Sequence, residues 1–305
     1  MRHFDLARSA LQRRAGCAGR RRQQGFTLIE AVMVIVLTGI LAAIVSVFIV
    51  SPVQAYLANV ARVALVDQTD SALRRISRDL AHALPNSVRV LAASGQITTQ
   101  TLELIPTSGA ARYVSEGTGA PQFGGDLSAN PQFSFDLIGP PLLLGAAQEL
   151  VFYNLGPDVP DANAYAANSS SAEQASSNRR RASTAAGAAG RLTVSSLQGL
   201  PIGLFAAPYR VYAVGQPVSY RCDLNAQTLT RYQGYGFQAS QPDPPSGGNA
   251  SLMLKGVTAC AFSYDAAAVA ARAALITLTL TVSSSSSGGA ESVSLFHAIH
   301  VDNLP

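Results

Sequence analysis

Arg20-Arg21-Arg22-Gln23-Gln24-Gly25-Phe26-Thr27-Leu28-Ile29-Glu30 opens a segment in which residues 31–50 carry no charge and are apolar apart from Thr38, Gly39 and Ser46. With a rise of 1.5 Å per residue, a helix over 26–50 would be about 37 Å long, enough to cross the hydrocarbon core of a bilayer. The arginines ahead of it favour a cytoplasmic leader and send the C-terminal bulk outward. Glu30 is the odd residue. A charge at the centre of a membrane helix costs roughly 2.5–3.5 kcal/mol, and less near the interface. The carboxylate becomes favourable where it meets a cation. A cut after Gly25 would create one, the α-amino group of Phe26, so the Glu30 of one copy could pair with the N-terminus of a neighbour and set the register between them.

The charge of the whole chain follows from the same segment. The formal net charge is +4, yet residues 1–25 hold seven Arg and one Asp, leaving 15 basic and 17 acidic residues in 26–305. The remainder is near neutral, so the basic pI gives no support to nucleic-acid binding. Cysteine follows the same division. Cys17 lies in the leader, and its removal leaves an even pair, Cys222 and Cys260. An oxidising compartment favours such a pair as a disulfide; two separate buried thiols are the alternative.

Gly25-Phe26-Thr27-Leu28-Ile29-Glu30 and the apolar run behind it resemble the cleavage and methylation signature of type IV prepilins. The resemblance implies that a prepilin peptidase cuts between Gly25 and Phe26 and methylates the Phe26 amine. Gly25 would be required because the peptidase site needs a residue without a side chain before the scissile bond. Glu30, fifth in the mature chain, matches the family's assembly and methylation glutamate. An ordinary secretory signal has an apolar stretch of 7–15 residues. The run here is longer, although Val53-Gln54-Ala55 mimics a signal cleavage site, and a plain single-pass anchor is the other reading.

Pro52 is expected to kink the helix or make it restart, because proline lacks an N–H and clashes with the preceding turn. Residues 53–84 again look helical. Leu73, Ile76, Leu80 and Leu84 recur at spacings of three and four, with Arg74, Arg75, Arg78 and Asp79 on other faces, and Pro85 ends the pattern. Those arginines read as a solvated face or as contacts to neighbouring subunits. From residue 87 strand signals dominate. Alternation is clear at 133–137, 149–153, 274–282 and 292–301, with Ser283–Gly289 as a flexible hairpin loop. Residues 161–190, rich in Ala, Ser, Asn and Gly around Arg179-Arg180-Arg181, read as a mobile loop that splits the body, and 240–249 as a second loop. The expected fold is α+β and pilin-like: leader 1–25, a transmembrane and assembly helix 26–52, its amphipathic continuation 53–85, and a β-rich body 86–305 whose antiparallel sheet covers the helix stripe.

Within the body, His82-Ala83-Leu84-Pro85-Asn86-Ser87-Val88-Arg89, the Val218–Asp223 and Ala259–Asp265 segments, and the closing Ser294–Val301 are similar to minor pilins of the MshO type, from mannose-sensitive haemagglutinin pilus biogenesis. That likeness implies a low-copy subunit that initiates or caps the fibre. Its partners would be prepilin peptidase, other major and minor pilins, the inner-membrane assembly platform and the lipid bilayer. Cys222 and Cys260 each sit on an apolar strand face, compatible with a bridge. No nucleophile elbow, phosphate loop or Cys-x-x-Cys appears. His297 and His300 fall on opposite strand faces, and Asp158 and Asp161 lack calcium-loop spacing. The reading is therefore of a structural subunit with no catalytic residue, cofactor or metal. A type II secretion pseudopilin and a membrane-anchored periplasmic binding module are the competing assignments.

Overall fold

The computed structural model describes residues 25–92, 98–264, 273–286 and 289–305. The expected leader, with Cys17, lies outside them except for Gly25. The chain divides into two compact units, Met1–Val53 and Gln54–Pro305.

In the first unit, helix α1 (Leu28–Val45) buries none of its residues. The hydroxyl of Thr38 donates to the carbonyl of Val34 at 2.7 Å, so the polar group within the apolar run is satisfied by its own helix. A π-helical turn, Ser46–Val50, follows, and helix α2 (Ser51–Ala81) starts one residue before Pro52. The helix expected to kink or restart at Pro52 thus continues through it, with a π-helical turn just before. The change in hydrogen-bond register puts the wider turn where the ring would press on a carbonyl, and absorbs the missing N–H.

In the second unit, α2 buries Leu65, Thr69, Ala72, Leu73, Ile76 and Leu80. This is the stripe read from the spacing, but the helix ends at Ala81, short of Pro85. The chain turns there to pair with the segment before the next strands: Leu84 N–H donates to Ile105 O at 2.7 Å, and Thr107 N–H donates to His82 O at 2.8 Å. Leu84 thereby leaves the helix stripe for another cluster, with Ile105, Val151, Tyr165 and Tyr212.

Two antiparallel sheets close over α2 rather than one. The larger has the order β1 (Arg89–Ala92), β2 (Thr99–Leu104), β11 (Val218–Asp223), β12 (Thr228–Gln233), β13 (Asn249–Lys255). The smaller is β14 (Val257–Tyr264), β15 (Ala273–Ser286), β16 (Gly289–Asp302). Helix and sheets share one core that includes Leu73, Ile76, Leu102, Tyr220, Phe262, Ile276 and Leu280. Polar contacts tie the helix to the larger sheet where Arg231 and the Tyr220 hydroxyl both donate to Asp79, at 2.9 and 2.5 Å. Ser283–Gly289 was expected as a loop, but the ladder continues to the pair Ser286 and Gly289. Serine does not oppose pairing there, because the backbone supplies the bonds; residues 287 and 288 lie outside the described set.

The segment between β2 and β11 forms a structure that periodicity did not reveal. It closes a six-stranded barrel in the order β10, β3, β4, β9, β7, β6. These strands are β3 (Thr107–Tyr113), β4 (Gln132–Ile138), β6 (Glu149–Phe152), β7 (Arg179–Ala182), β9 (Arg191–Ser195) and β10 (Arg210–Val214). A short pair, β5 (Leu142–Leu144) and β8 (Gly187–Ala189), lies beside it. The barrel has its own core, with Tyr113, Phe135 and Phe152 in edge contacts at centroid distances of 5.4–6.2 Å. The interior is filled by side chains and is not a ligand chamber.

Barrel and larger sheet are joined by one ribbon. Arg210 faces Arg112 and Ala213 faces Gly109 in the barrel; Val218 faces Leu104 and Asp223 faces Thr99 in the sheet. The register is the same on both sides, with a local shift at Ala213/Val214. Gly215 N–H donates to Pro106 O at 2.8 Å at the junction, where an added Cβ would lie 3.2 Å from the Pro106 ring.

Residues 161–190 are not the loop expected from their composition. They contain a capped turn of helix, α3 (Ser171–Ala175), and strands β7 and β8. Arg179 and Arg180 are buried. Arg179 pairs with Glu149 at 3.3 Å, and its guanidinium lies 3.8 Å from the Phe237 ring centroid. Arg180 has no carboxylate partner among the described residues. It donates to Ser196 Oγ at 2.6 Å and to the carbonyls of Gln174, Ser177 and Arg179 at 2.7–2.8 Å, and of Gly199 at 3.2 Å. Burial lowers its pKa to about 10, so it stays protonated at neutral pH. The two cations serve as internal ties that small polar residues could not supply.

The segment 234–248, expected in part as a loop, has no helix or strand and is strapped to the larger sheet. Tyr235 donates to the buried Glu103 at 2.7 Å, and Glu103 also pairs with Arg89. Asp243 accepts from Arg221 Nε at 2.6 Å and from Thr101 Oγ1 at 3.0 Å.

Candidate functional site: the N-terminal segment

Gly25, Phe26, Thr27 and Glu30 lie together at the start of α1, all exposed. The described fold does not require glycine at position 25: a Cβ placed there meets nothing within 4 Å among the described residues. Any demand for glycine at this position comes from outside the chain. Phe26 is 77% exposed, so the bond between 25 and 26 is open to an enzyme.

Thr27 caps the helix. Its backbone is extended and its side-chain oxygen accepts from Glu30 N–H at 3.3 Å. Thr-x-x-Glu is the sequence form of a capping box, of which the threonine half is present here. The pattern was readable in the sequence, yet Thr27 was given no role. The cap starts the helix at Leu28 rather than Phe26 and places Glu30 in the first turn. There the partial positive charge of the unpaired N–H groups favours an anion. Beyond it, Val32, Met33, Val34, Ile35, Leu37 and Ile40 expose apolar surface around the helix. The helical run Leu28–Ala81 is long and apolar enough to cross a membrane.

Residues 20–46 match the family model of the prokaryotic N-terminal methylation motif. That segment is a prepilin-type N-terminus. No curated protein and no solved structure matches the chain. The prepilin motif belongs to structural subunits of the type IV pilin and pseudopilin kind, which are processed by prepilin peptidase, anchored by the apolar helix and assembled with other pilins. Here the motif sits on one exposed apolar helix, and an antiparallel β body follows it, which is the α+β, pilin-like arrangement expected.

The remaining sequence-derived candidates lie in the second unit. Cys222 is buried and Cys260 half-buried; both are free thiols. They adjoin one another: the hydrogen bond to Cys222, together with burial, holds the Cys260 thiol well above its ordinary pKa. His297 Nδ1 lies 3.3 Å from Ser77 Oγ, and Nε2 lies 3.9 Å from Asp70, which ties β16 to α2; His300 is exposed. Arg74 pairs with Asp70 at 2.5 Å and Arg75 with Asp79 at 3.6 Å. Among the described residues no group of three His, Cys, Asp or Glu is placed to hold a metal.

Proposed function

We propose that this chain is a minor pilin of an MSHA-like type IV pilus, cut between Gly25 and Phe26 and methylated on Phe26 by prepilin peptidase. The division proposed is leader 1–25, membrane and assembly helix 26–52, amphipathic continuation 53–85 and body 86–305. The subunit waits in the inner membrane with its body in the periplasm, contacts the assembly platform, and enters the fibre near its tip with other pilins. The observation that carries this reading is the exposed Gly25–Glu30 segment, capped by Thr27 and continuous with a helix that buries nothing of its own. The body segments resembling MshO-type subunits favour the pilus over a type II secretion pseudopilus.

Mass spectrometry of the mature protein tests the processing. A methylated Phe26 at the N-terminus is expected; a retained 1–25 segment, or a cut near Ala55, would overturn the prepilin reading. Loss of surface pili in a deletion strain, with secretion intact, is the outcome expected of a pilus subunit. The reverse phenotype assigns it to secretion. Glu30→Ala should leave the chain in the membrane while its incorporation into fibres falls about tenfold, equivalent to the loss of about 1.4 kcal/mol. Unchanged incorporation would remove Glu30 from the register role.

Cys222 and Cys260 are proposed to form a disulfide in the periplasm, a link between strands of the two sheets. The chain-entropy account gives such a loop about 4 kcal/mol. Alkylation without reductant should leave both sulfurs unlabelled in protein taken from the periplasmic face. Labelling of either one under those conditions would show that the bridge does not form.

A further inference from the structure

The barrel carries a pair of like charges that no described residue answers. In the register between β3 and β10, Arg112 stands directly opposite Arg210, so both side chains leave the same face. Arg112 is exposed and Arg210 half-buried. Such a cross-strand pair is destabilising by itself, with Cβ atoms about 4.5–5.5 Å apart. Neither guanidinium has a hydrogen-bonding or acidic partner among the described residues. The acid on this face of β4, Asp136, is taken by Arg191, whose Nη1 reaches both carboxylate oxygens at 2.9 and 3.0 Å.

The two arginines border a groove of about 350 Å³ whose other lining is Ala110, Ala111, Ile138 and Pro140. Its shape follows from a short join in the barrel wall. β3 and β4 are joined by only two pairs, Arg112 with Ile138 and Tyr113 with Leu137, after which the chain bends away through Gly139 and Pro140. Ile138 is left half-exposed on the wall facing Arg112.

We propose that this groove binds a small organic carboxylate. Its two oxygens would each take N–H donors from one guanidinium, and its apolar body would lie against Ile138 and Pro140. Two guanidinium forks side by side suit a planar, bidentate acceptor, and charge-assisted bonds of this kind are stronger than neutral ones. The apolar wall selects an organic anion over an inorganic one, since a bare ion leaves Ile138 in water. The inference is independent of the prepilin reading and concerns the body alone.

The test is a titration of the full-length chain in detergent micelles, at constant ionic strength, with cyclohexanecarboxylate, acetate and chloride. The readout is the arginine Nε–Hε NMR signals, assigned through Arg112→Gln and Arg210→Gln. Saturating shifts at both arginines are expected with cyclohexanecarboxylate, at an affinity about tenfold above acetate. Each Gln variant should weaken binding about tenfold, and Ile138→Ser should abolish the preference over acetate without changing the thermal midpoint. Shifts that fail to saturate, that chloride reproduces, or that survive both Gln substitutions would overturn the proposal.

Discussion

Gly25→Val should reduce the processed fraction on the order of 100-fold, the scale of loss for a misplaced scissile bond, while leaving the protein in the membrane at its normal level. The reasoning rests on what glycine does not do here. Among the described residues no atom lies near enough to meet a Cβ at this position, and the residue precedes the capped start of α1. Valine therefore leaves helix and body unchanged, and any loss belongs to recognition by the peptidase. The intact mass should include residues 1–25, and Phe26 should be unmethylated because its nitrogen remains in a peptide bond. Thr27→Ala separates this from a helix-start effect. Loss of a cap costs about 1 kcal/mol and should leave cleavage between residues 25 and 26 in place. Normal processing of the Gly25→Val chain would refute the requirement for glycine.

Arg180→Met should destabilise the second unit by about 4 kcal/mol, a large share of the roughly 5–15 kcal/mol available to a domain. Methionine keeps much of the length but supplies no donor, so the buried carbonyls of Ser177 and Gly199 would lose their donor, and those of Gln174 and Arg179 and the Ser196 hydroxyl would each lose one of their partners. Arg180→Lys should recover only part of the loss, because one ammonium cannot reach the same spread of acceptors. Chemical denaturation followed by near-ultraviolet circular dichroism of the Tyr113, Phe135 and Phe152 cluster measures both. A change below about 1 kcal/mol would mean that the guanidinium is not the tie described.

These two residues also mark where sequence reading succeeds and where it stops. Gly25 was legible because its message is local: six consecutive residues and the apolar run behind them. The helix stripe of Leu73, Ile76 and Leu80, and the strands at 274–282 and 292–301, were legible because one element's spacing records one buried face. Arg180 was not. Its burial depends on acceptors from α3, from its own turn and from the segment after β9, brought together only when the barrel closes. In composition, Arg179-Arg180-Arg181 among Ala and Ser looks solvated. The barrel itself was hidden for the same reason, since β10 closes it by pairing with β3 and β6, both distant in the chain. Arg112 and Arg210 become neighbours only through that closure.

The ribbon common to barrel and sheet has a mechanical meaning. β2 runs on into β3 and β10 into β11, side by side in one register. A pull on the barrel along these strands loads many rungs at once, in shear, and does not peel them singly. The barrel and the larger sheet should then yield together under tension, with no hinge at Pro106 and Gly215. A ligand held at the barrel would be held by the whole body.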